Sequence, residues 1–380
     1  MVIQNYHKYS DIPKYDFALS CLWAKPWFDR MLSLAEQAES FGADGILYDQ
    51  LGIFAPFACW GEGHGHAAPG YAYATERPDF VRRITDAIQR KNPGFAVLTE
   101  GLHDTILDSI AAFHGCETGT YPRVLDDVKG RATGGKAEVF PELWRYTFPE
   151  LVTSARVPSP MVTRTMANYA ALFGMRHDIE LRYAPDRDWV LDGKVPTKEG
   201  YGTVRSLPDV GWMQTNEPKA AAAYLKAANL FQRQYAKYLL TGCFLDEEGF
   251  TLKAPAGVLA KRYLAQDGLS AVLVWNMTDR SVPVSIGGLG VPSVTSEPGA
   301  GTVAADAPLA ADTLRLYGYE VIGPRMGCGQ QGRFQSGTGV SPVRVLGGGT
   351  GVSPVRGLGV GRPQQRRTGK MPVPLRGATN

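Results

Sequence analysis

Two stretches of this chain repeat one pattern, a helix with a single apolar stripe running into a short strand that ends in a carboxylate. No other feature restricts the fold as much. From Pro26, the side chains Trp27, Met31, Leu34, Ala35, Ala38 and Phe41 share one helix face, and Gly42 supplies a C-terminal stop. GILYDQL follows, in which Gly45 to Tyr48 has the length of a buried strand and Asp49 stands at its carboxyl end. After a long loop, Phe80, Val81, Ile84, Ala87 and Ile88 mark a second amphipathic helix. Asn92-Pro93-Gly94 breaks it, and FAVLTEG supplies a strand ending in Glu100. Alternation of this kind builds a parallel sheet.

The alternation continues less clearly. A third helix is expected from Asp104 as N-cap, with Ile106, Leu107 and Ile110 inward, leading to a weak strand at Ala112 to His114. DFALSCL, Leu143 to Phe148 and Ile179 to Tyr183 read as further strands. Thr163 to Phe173 and Pro218 to Leu240 read as helices, the second with Tyr224, Ala228, Phe231, Tyr235 and Leu239 on one side. From Phe250 the texture changes to LSAVLVWNMTD, SVPVSIGG and TLRLYGYE, short β runs between turn residues. The expected layout is an α/β body of the (β/α) barrel type over 1–249, a small antiparallel β-sandwich domain over 250–320, and a tail over 321–380.

The tail holds nine of the 40 Lys and Arg residues and none of the 37 Asp and Glu, which leaves the first 320 residues with 31 basic against 37 acidic side chains, a net charge of −6. It also holds 15 Gly and 6 Pro, and GTGVSPVR at Gly337 to Arg344 recurs at Gly349 to Arg356. Such a stretch has too few large apolar groups to offset its ordering entropy and reads as disordered. A basic tail could bind nucleic acid. The plainer reading is a solvated appendage, so no nucleic-acid partner is expected. The whole chain, 44% hydrophobic and 20% charged, is typical of a globular protein with a sizeable core. It has no run of about 18 apolar residues and no apolar leader, so no membrane partner is expected, and a cytoplasmic location is the default. Five scattered cysteines suggest neither a disulfide framework nor a CxxC knuckle.

Strand carboxyl ends are where sites form in parallel α/β folds, and Asp49 and Glu100 occupy two of them. Paired carboxylates at such a place suit glycoside hydrolysis, one as nucleophile and the other as acid/base. The bland alternative is two ordinary loop carboxylates. The loop after Asp49, PFACWGEGHGHAAPGYAY, offers Trp60, Tyr71 and Tyr73 to stack on sugar faces, and His64 and His66 to bond hydroxyls. Trp23, Gln50 and Arg145 complete the expected substrate-binding set, although Trp23 and Arg145, like His177 and Asp178, are of a kind that is more often packing or ion-pair than site. Cys59, Glu62, His64 and His66 could instead ligate zinc as a metal-dependent hydrolase. Their spacing matches no standard finger, so the expectation is no metal and no cofactor. GxGxxG, Walker and GxSxG motifs are absent, which leaves nucleotide-binding and Ser-hydrolase readings without support.

GADGILYDQLG, the CWGEGHGH loop and FAVLTEG together resemble an uncharacterised bacterial family of glycosidase-type TIM barrels with a carboxy-terminal β domain, related to α-galactosidase and endo-α-N-acetylgalactosaminidase barrels. The resemblance covers about residues 15 to 320. It implies a retaining O-glycosidase acting on an α-linked sugar, with Asp49 as nucleophile and Glu100 as acid/base. The chain departs from that pattern at its start. If GILYDQL is the fourth barrel strand and DFALSCL the third, two strands have no counterpart and about six remain of the eight that close a barrel. This suggests a fragment of a longer enzyme, and a non-catalytic carbohydrate-binding remnant is the rival expectation.

Overall fold

The computed structural model describes residues 2–5, 16–52, 58–101, 103–114, 127–128, 130–135, 141–149, 151–158, 163–180, 184–192, 194 and 218–320. The expected tail, 321–380, lies outside them. Two short strands, β1 (Val2–Asn5) and β2 (Asp16–Leu19), pair antiparallel. Helix α1 (Lys25–Ser40) then leads into β3 (Gly45–Tyr48), and helices α2 (Ala72–Thr75) and α3 (Arg77–Gln89) lead into β4 (Ala96–Glu100). β5 (Ala112–His114), α4 (Pro141–Thr147), β6 (Val152–Pro158), α5 (Arg164–Leu172) and β7 (Arg176–Glu180) follow. Strands β3 to β7 form one parallel sheet in sequence order. Among the described residues it has five strands, and the Asp16–Leu19 part of DFALSCL pairs instead in the β1–β2 ribbon.

The two helix–strand units match the sequence reading because their apolar stripes have a sheet face to cover. Phe80, Val81, Ile84 and Ile88 of α3 and Ala35 of α1 are buried with Tyr48, Val97 and Phe113 in one core. At the carboxyl end of α1 the stripe fails. Phe41 is 78% exposed, while Gly42 ends the helix at φ +81°, its N–H reaching the Glu39 carbonyl at 2.8 Å. The helix expected from Asp104 is only a single 3₁₀ turn, Asp104–Ile106, which still buries Ile106. Leu143 to Phe148, read as a strand, is helix α4. Pro141 at its start is pre-set for a helical φ, and tertiary packing overrides the aromatic, β-favouring composition. The strand expected from Ile179 begins three residues earlier, and β6 gave no sequence expectation at all.

Helices α6 (Ala184–Asp192), α7 (Pro218–Gln234) and α8 (Ala236–Leu239) precede β8 (Cys243–Asp246). The expected single helix to Leu240 breaks at Tyr235. Then come β9 (Thr251–Lys253), β10 (Val258–Leu264), β11 (Ser270–Asn276), β12 (Ser285–Gly287), β13 (Val294–Glu297), β14 (Gly301–Thr302) and β15 (Thr313–Tyr319). Six of them form an antiparallel sheet in the order β14-β13-β15-β11-β10-β8, and β9 pairs with β12. Every residue of β11 and β15 is buried, because the sheet is covered on both faces. Ala271, Leu273 and Trp275 face the helices with Tyr169, Phe173, Phe231 and Leu239. Val272 and Val274, pointing the other way, join Val282 and Leu309 and are flanked by Leu252 and Ile286 of the β9–β12 ribbon. The helices α5 and α7 are thus the shared filling between the parallel strands and the antiparallel sheet. Cys243 on β8 is disulfide-bonded, contrary to the expectation of unpaired thiols. Among the described residues, no helix is long and apolar enough to cross a membrane.

Candidate functional site

The parallel register sets the site. Ile46 pairs with Val97, Leu47 with Leu98 and Tyr48 with Thr99; Asp49 opens the turn after β3, and Glu100 is the last residue of β4. Tyr48 faces the helices and donates its hydroxyl to the Met31 carbonyl at 2.7 Å. By alternation Leu47, 39% exposed, belongs to the other face, and Asp49 follows in the turn. Gln50 turns the chain here through a left-handed conformation, φ +59°, and its backbone N–H donates to Glu100 Oε2 at 3.2 Å. Gly52 donates its N–H to the Glu100 carbonyl at 3.1 Å. A Cβ on Gly52 would lie 2.4 Å from that oxygen, so only glycine permits this approach. The half-buried Glu100 carboxylate therefore sits against the turn that carries the exposed Asp49.

The same face continues along the sheet. Glu100 pairs in register with His114 at the end of β5, and His114 Nδ1 lies within hydrogen-bonding distance of Asp178 Oδ2 of β7. Ser154 of β6 places its hydroxyl 3.1 Å from Asp178 Oδ2 and 2.9 Å from the Phe113 carbonyl. Glu100, His114, Ser154 and Asp178 thus form a polar row on the face that also carries the apolar Leu47 and Val152. Sequence reading missed His114 and Ser154, since neither belongs to a motif. It placed Asp178 only beside a strand. His177, the neighbour of Asp178, points into the core, with Nδ1 2.8 Å from Asn229 Oδ1 and Nε2 2.9 Å from the Ala167 carbonyl. Burial holds its imidazole below the ordinary histidine pKa.

The other expected site residues divide. Arg145 is buried in α4 and donates to the carbonyls of Phe173 (3.1 Å), Leu151 (2.7 Å) and Pro149 (3.4 Å), the placement of a packing residue. Trp60 and Tyr71 are open to solvent, 68% and 48% exposed, and Tyr73 lies on α2. Trp23 stacks its ring on His66, centroids 4.7 Å apart. His64 and His66 turn toward cysteines. His64 Nδ1 is 3.4 Å from Cys59 Sγ, and His66 Nε2 is 3.3 Å from Cys21 Sγ. One ligand atom from each of Cys21, Cys59, His64 and His66 lies within 4.8 Å of the others, and Glu62, exposed, is outside this group. Both thiols are buried. Burial raises the Cys21 pKa, opposed by the Trp23 backbone amide and reinforced by Cys59. A groove of about 480 Å³ borders the cluster and includes Leu19, Ala24 and Trp27 in its wall.

No protein-family model matches the chain, and no curated protein matches it. Among solved structures it is similar to a GH27 β-L-arabinopyranosidase from Geobacillus stearothermophilus, with TM-score 0.41 and 9% identity over 79% of this chain and 63% of that one. The type III pullulan hydrolase from Thermococcus kodakarensis gives TM-score 0.45 and 13% identity, over 77% of this chain and 48% of that one. The GH36 α-galactosidase AgaB from Geobacillus stearothermophilus gives 0.43 and 10%, over 78% and 38%. The chain spans less than two thirds of the length of each.

Proposed function

We propose that the chain is a retaining O-glycoside hydrolase acting on an α-linked sugar, with Asp49 as nucleophile and Glu100 as acid/base. The observation that supports this reading is the parallel pairing of β3 with β4, after which the Gln50 N–H of the turn carrying Asp49 reaches Glu100 Oε2 at 3.2 Å. Backbones of neighbouring strands lie about 4.8 Å apart, a spacing from which two such side chains can reach the roughly 5–5.5 Å carboxyl separation of retaining enzymes. Asp49 would attack the anomeric carbon while Glu100 protonates the departing oxygen. Glu100 would then deprotonate the water that releases the sugar. His114, whose Nδ1 is held by Asp178, would contact a substrate hydroxyl through its imidazole.

Release of 4-nitrophenol from a panel of aryl α- and β-glycosides tests the reading. Asp49→Asn and Glu100→Gln should each lower kcat at least about 100-fold, the scale of losing an acid/base or nucleophile. Added azide should partly restore turnover in a variant missing the nucleophile or the base. Turnover that survives both substitutions would refute the assignment. A second reading, a carbohydrate-binding protein without turnover, is favoured by the exposed rings of Trp60 and Tyr71. Sugar binding that is lost in Trp60→Ala, with no hydrolysis of any substrate, would select it.

A further inference from the structure

The geometry points to a structural zinc site made by Cys21, Cys59, His64 and His66, which clamps the loop after β3 to the end of the β1–β2 ribbon. This inference does not rest on the glycosidase reading. Tetrahedral zinc with bonds of about 2.3 Å to sulfur and 2.0–2.1 Å to nitrogen sets sulfur and nitrogen ligands about 3.6 Å apart. The two Sγ···N distances, 3.3 and 3.4 Å, lie within a few tenths of that, and all four ligand atoms fit within 4.8 Å. Two thiolates and two imidazoles are a donor set that selects zinc over the oxygen-seeking cations, and two thiolate charges balance its own. Binding would release one proton from each thiol to solvent.

Three independent features suit the site to a metal. His66 Nδ1 lies 2.8 Å from the Ala67 carbonyl, which fixes the proton on Nδ1 and leaves the lone pair of Nε2 facing Cys21. This outer hydrogen bond is the support that metal-binding imidazoles use. The loop glycines make room for the rings. A Cβ on Gly70 would lie 2.2 Å from His66 Nδ1, and one on Gly61 would lie 2.7 Å from the His64 ring. Finally, Cys59 and Gly70 exchange backbone hydrogen bonds of 2.6 and 2.8 Å, closing the loop at its neck so that both histidines return over Cys59. With all four positions filled by protein and two ligands buried, the site has no open position for a catalytic water.

The test is metal analysis of the full-length protein after exhaustive dialysis. About one zinc per chain is expected, falling to below about one tenth in Cys21→Ser and in Cys59→Ser. Glu62→Gln should keep its zinc. Because a cysteine variant could simply misfold, the wild-type protein should also be reconstituted with Co²⁺. Strong visible bands near 600–700 nm with thiolate charge-transfer absorption in the near ultraviolet are expected of four-coordinate cobalt with two thiolates. A chain without metal that fails to take up Zn²⁺ or Co²⁺ would overturn the inference. So would zinc that survives Cys21→Ser but is lost in Glu62→Gln, since the ligands would then all come from the loop. Neither result touches the activity test of Asp49 and Glu100.

Discussion

Asp312 is the test of whether the α/β layer and the antiparallel sheet fold as one body. Its Oδ1 accepts the Trp275 indole N–H at 2.9 Å and the Asn168 side-chain amide at 2.9 Å, and its Oδ2 accepts the Thr165 hydroxyl at 2.9 Å. Trp275 and Asn168 are fully buried, the first on β11 and the second on α5, so one carboxylate ties helix to sheet. Asp312→Ala orphans two buried donors at about 1–3 kcal/mol each, while the Thr165 hydroxyl can turn to solvent. The backbone at residue 312 is left-handed, φ +43°, where alanine loses the local support that Asp or Asn enjoys, adding up to about 1 kcal/mol. The sum is about 2–7 kcal/mol. At roughly 2 °C per kcal/mol for a body of this size, the melting midpoint should fall by about 4–14 °C. Asp312→Asn keeps an acceptor toward Trp275 and Asn168, and the Thr165 hydroxyl can reverse to accept, so about 1 kcal/mol and 2 °C are expected. Calorimetry on the two variants measures the difference. The reasoning fails if Asp312→Ala melts within 2 °C of the parent, or if Asp312→Asn falls equally far.

Gly52→Ala should displace the strand end that carries Glu100, because its Cβ would meet the Glu100 and Gly101 carbonyl oxygens at 2.4 and 2.6 Å; kcat should fall at least about 10-fold while the far-ultraviolet spectrum is kept. Arg145→Met should lower stability by about 2–4 kcal/mol by orphaning buried carbonyls, with KM unchanged, and a raised KM at unchanged stability would return Arg145 to the substrate. Burial alone would push Glu142 up, but the Arg131 hydrogen bond and the nearby Lys261 and Arg131 charges hold it below its ordinary pKa of 4.5. Its contribution is therefore present above about pH 4.5 and is lost as the pH falls through the lowered value. Urea melts should show Glu142→Gln less stable than the parent at pH 7, with the gap closing below pH 4. A gap independent of pH would contradict the assignment.

What the sequence made legible was whatever depends on local periodicity. The α1–β3 and α3–β4 units were readable because Phe80, Val81, Ile84 and Ile88 must face a sheet wherever that sheet lies. Asp49 and Glu100 were legible for the same reason, as the residues at which two such units end. Long-range pairing decided the rest. Leu143 to Phe148 has strand composition, yet Leu143–Thr147 is helical, with Arg145 donating to carbonyls of Pro149, Leu151 and Phe173 that lie outside the segment. DFALSCL has strand composition too, and nothing in it says that its partner is Val2–Asn5 rather than β3. Cys21 was the largest miss. It lies 38 positions before Cys59, in no motif, and only the folded chain brings it to His66.

The loop after β3 holds two chemistries, and the structure separates them by burial. Its aromatic residues Trp60 and Tyr71 are exposed, where a sugar face can reach them. Its histidines are turned inward onto thiols. A glycine-rich loop with φ +77° and +82° at Gly63 and Gly65 would lose its stacking geometry through backbone entropy unless something fixed it. Four ligands drawn from Cys21, Cys59, His64 and His66 would fix it at its base and leave the rings at its rim free. Chelation then has a defined consequence. Removing the metal should weaken sugar binding through loop order while leaving Glu100, which is held on β4 between β3 and β5, in place. An apoprotein that binds sugar as tightly as the zinc form would separate the two functions of the loop altogether.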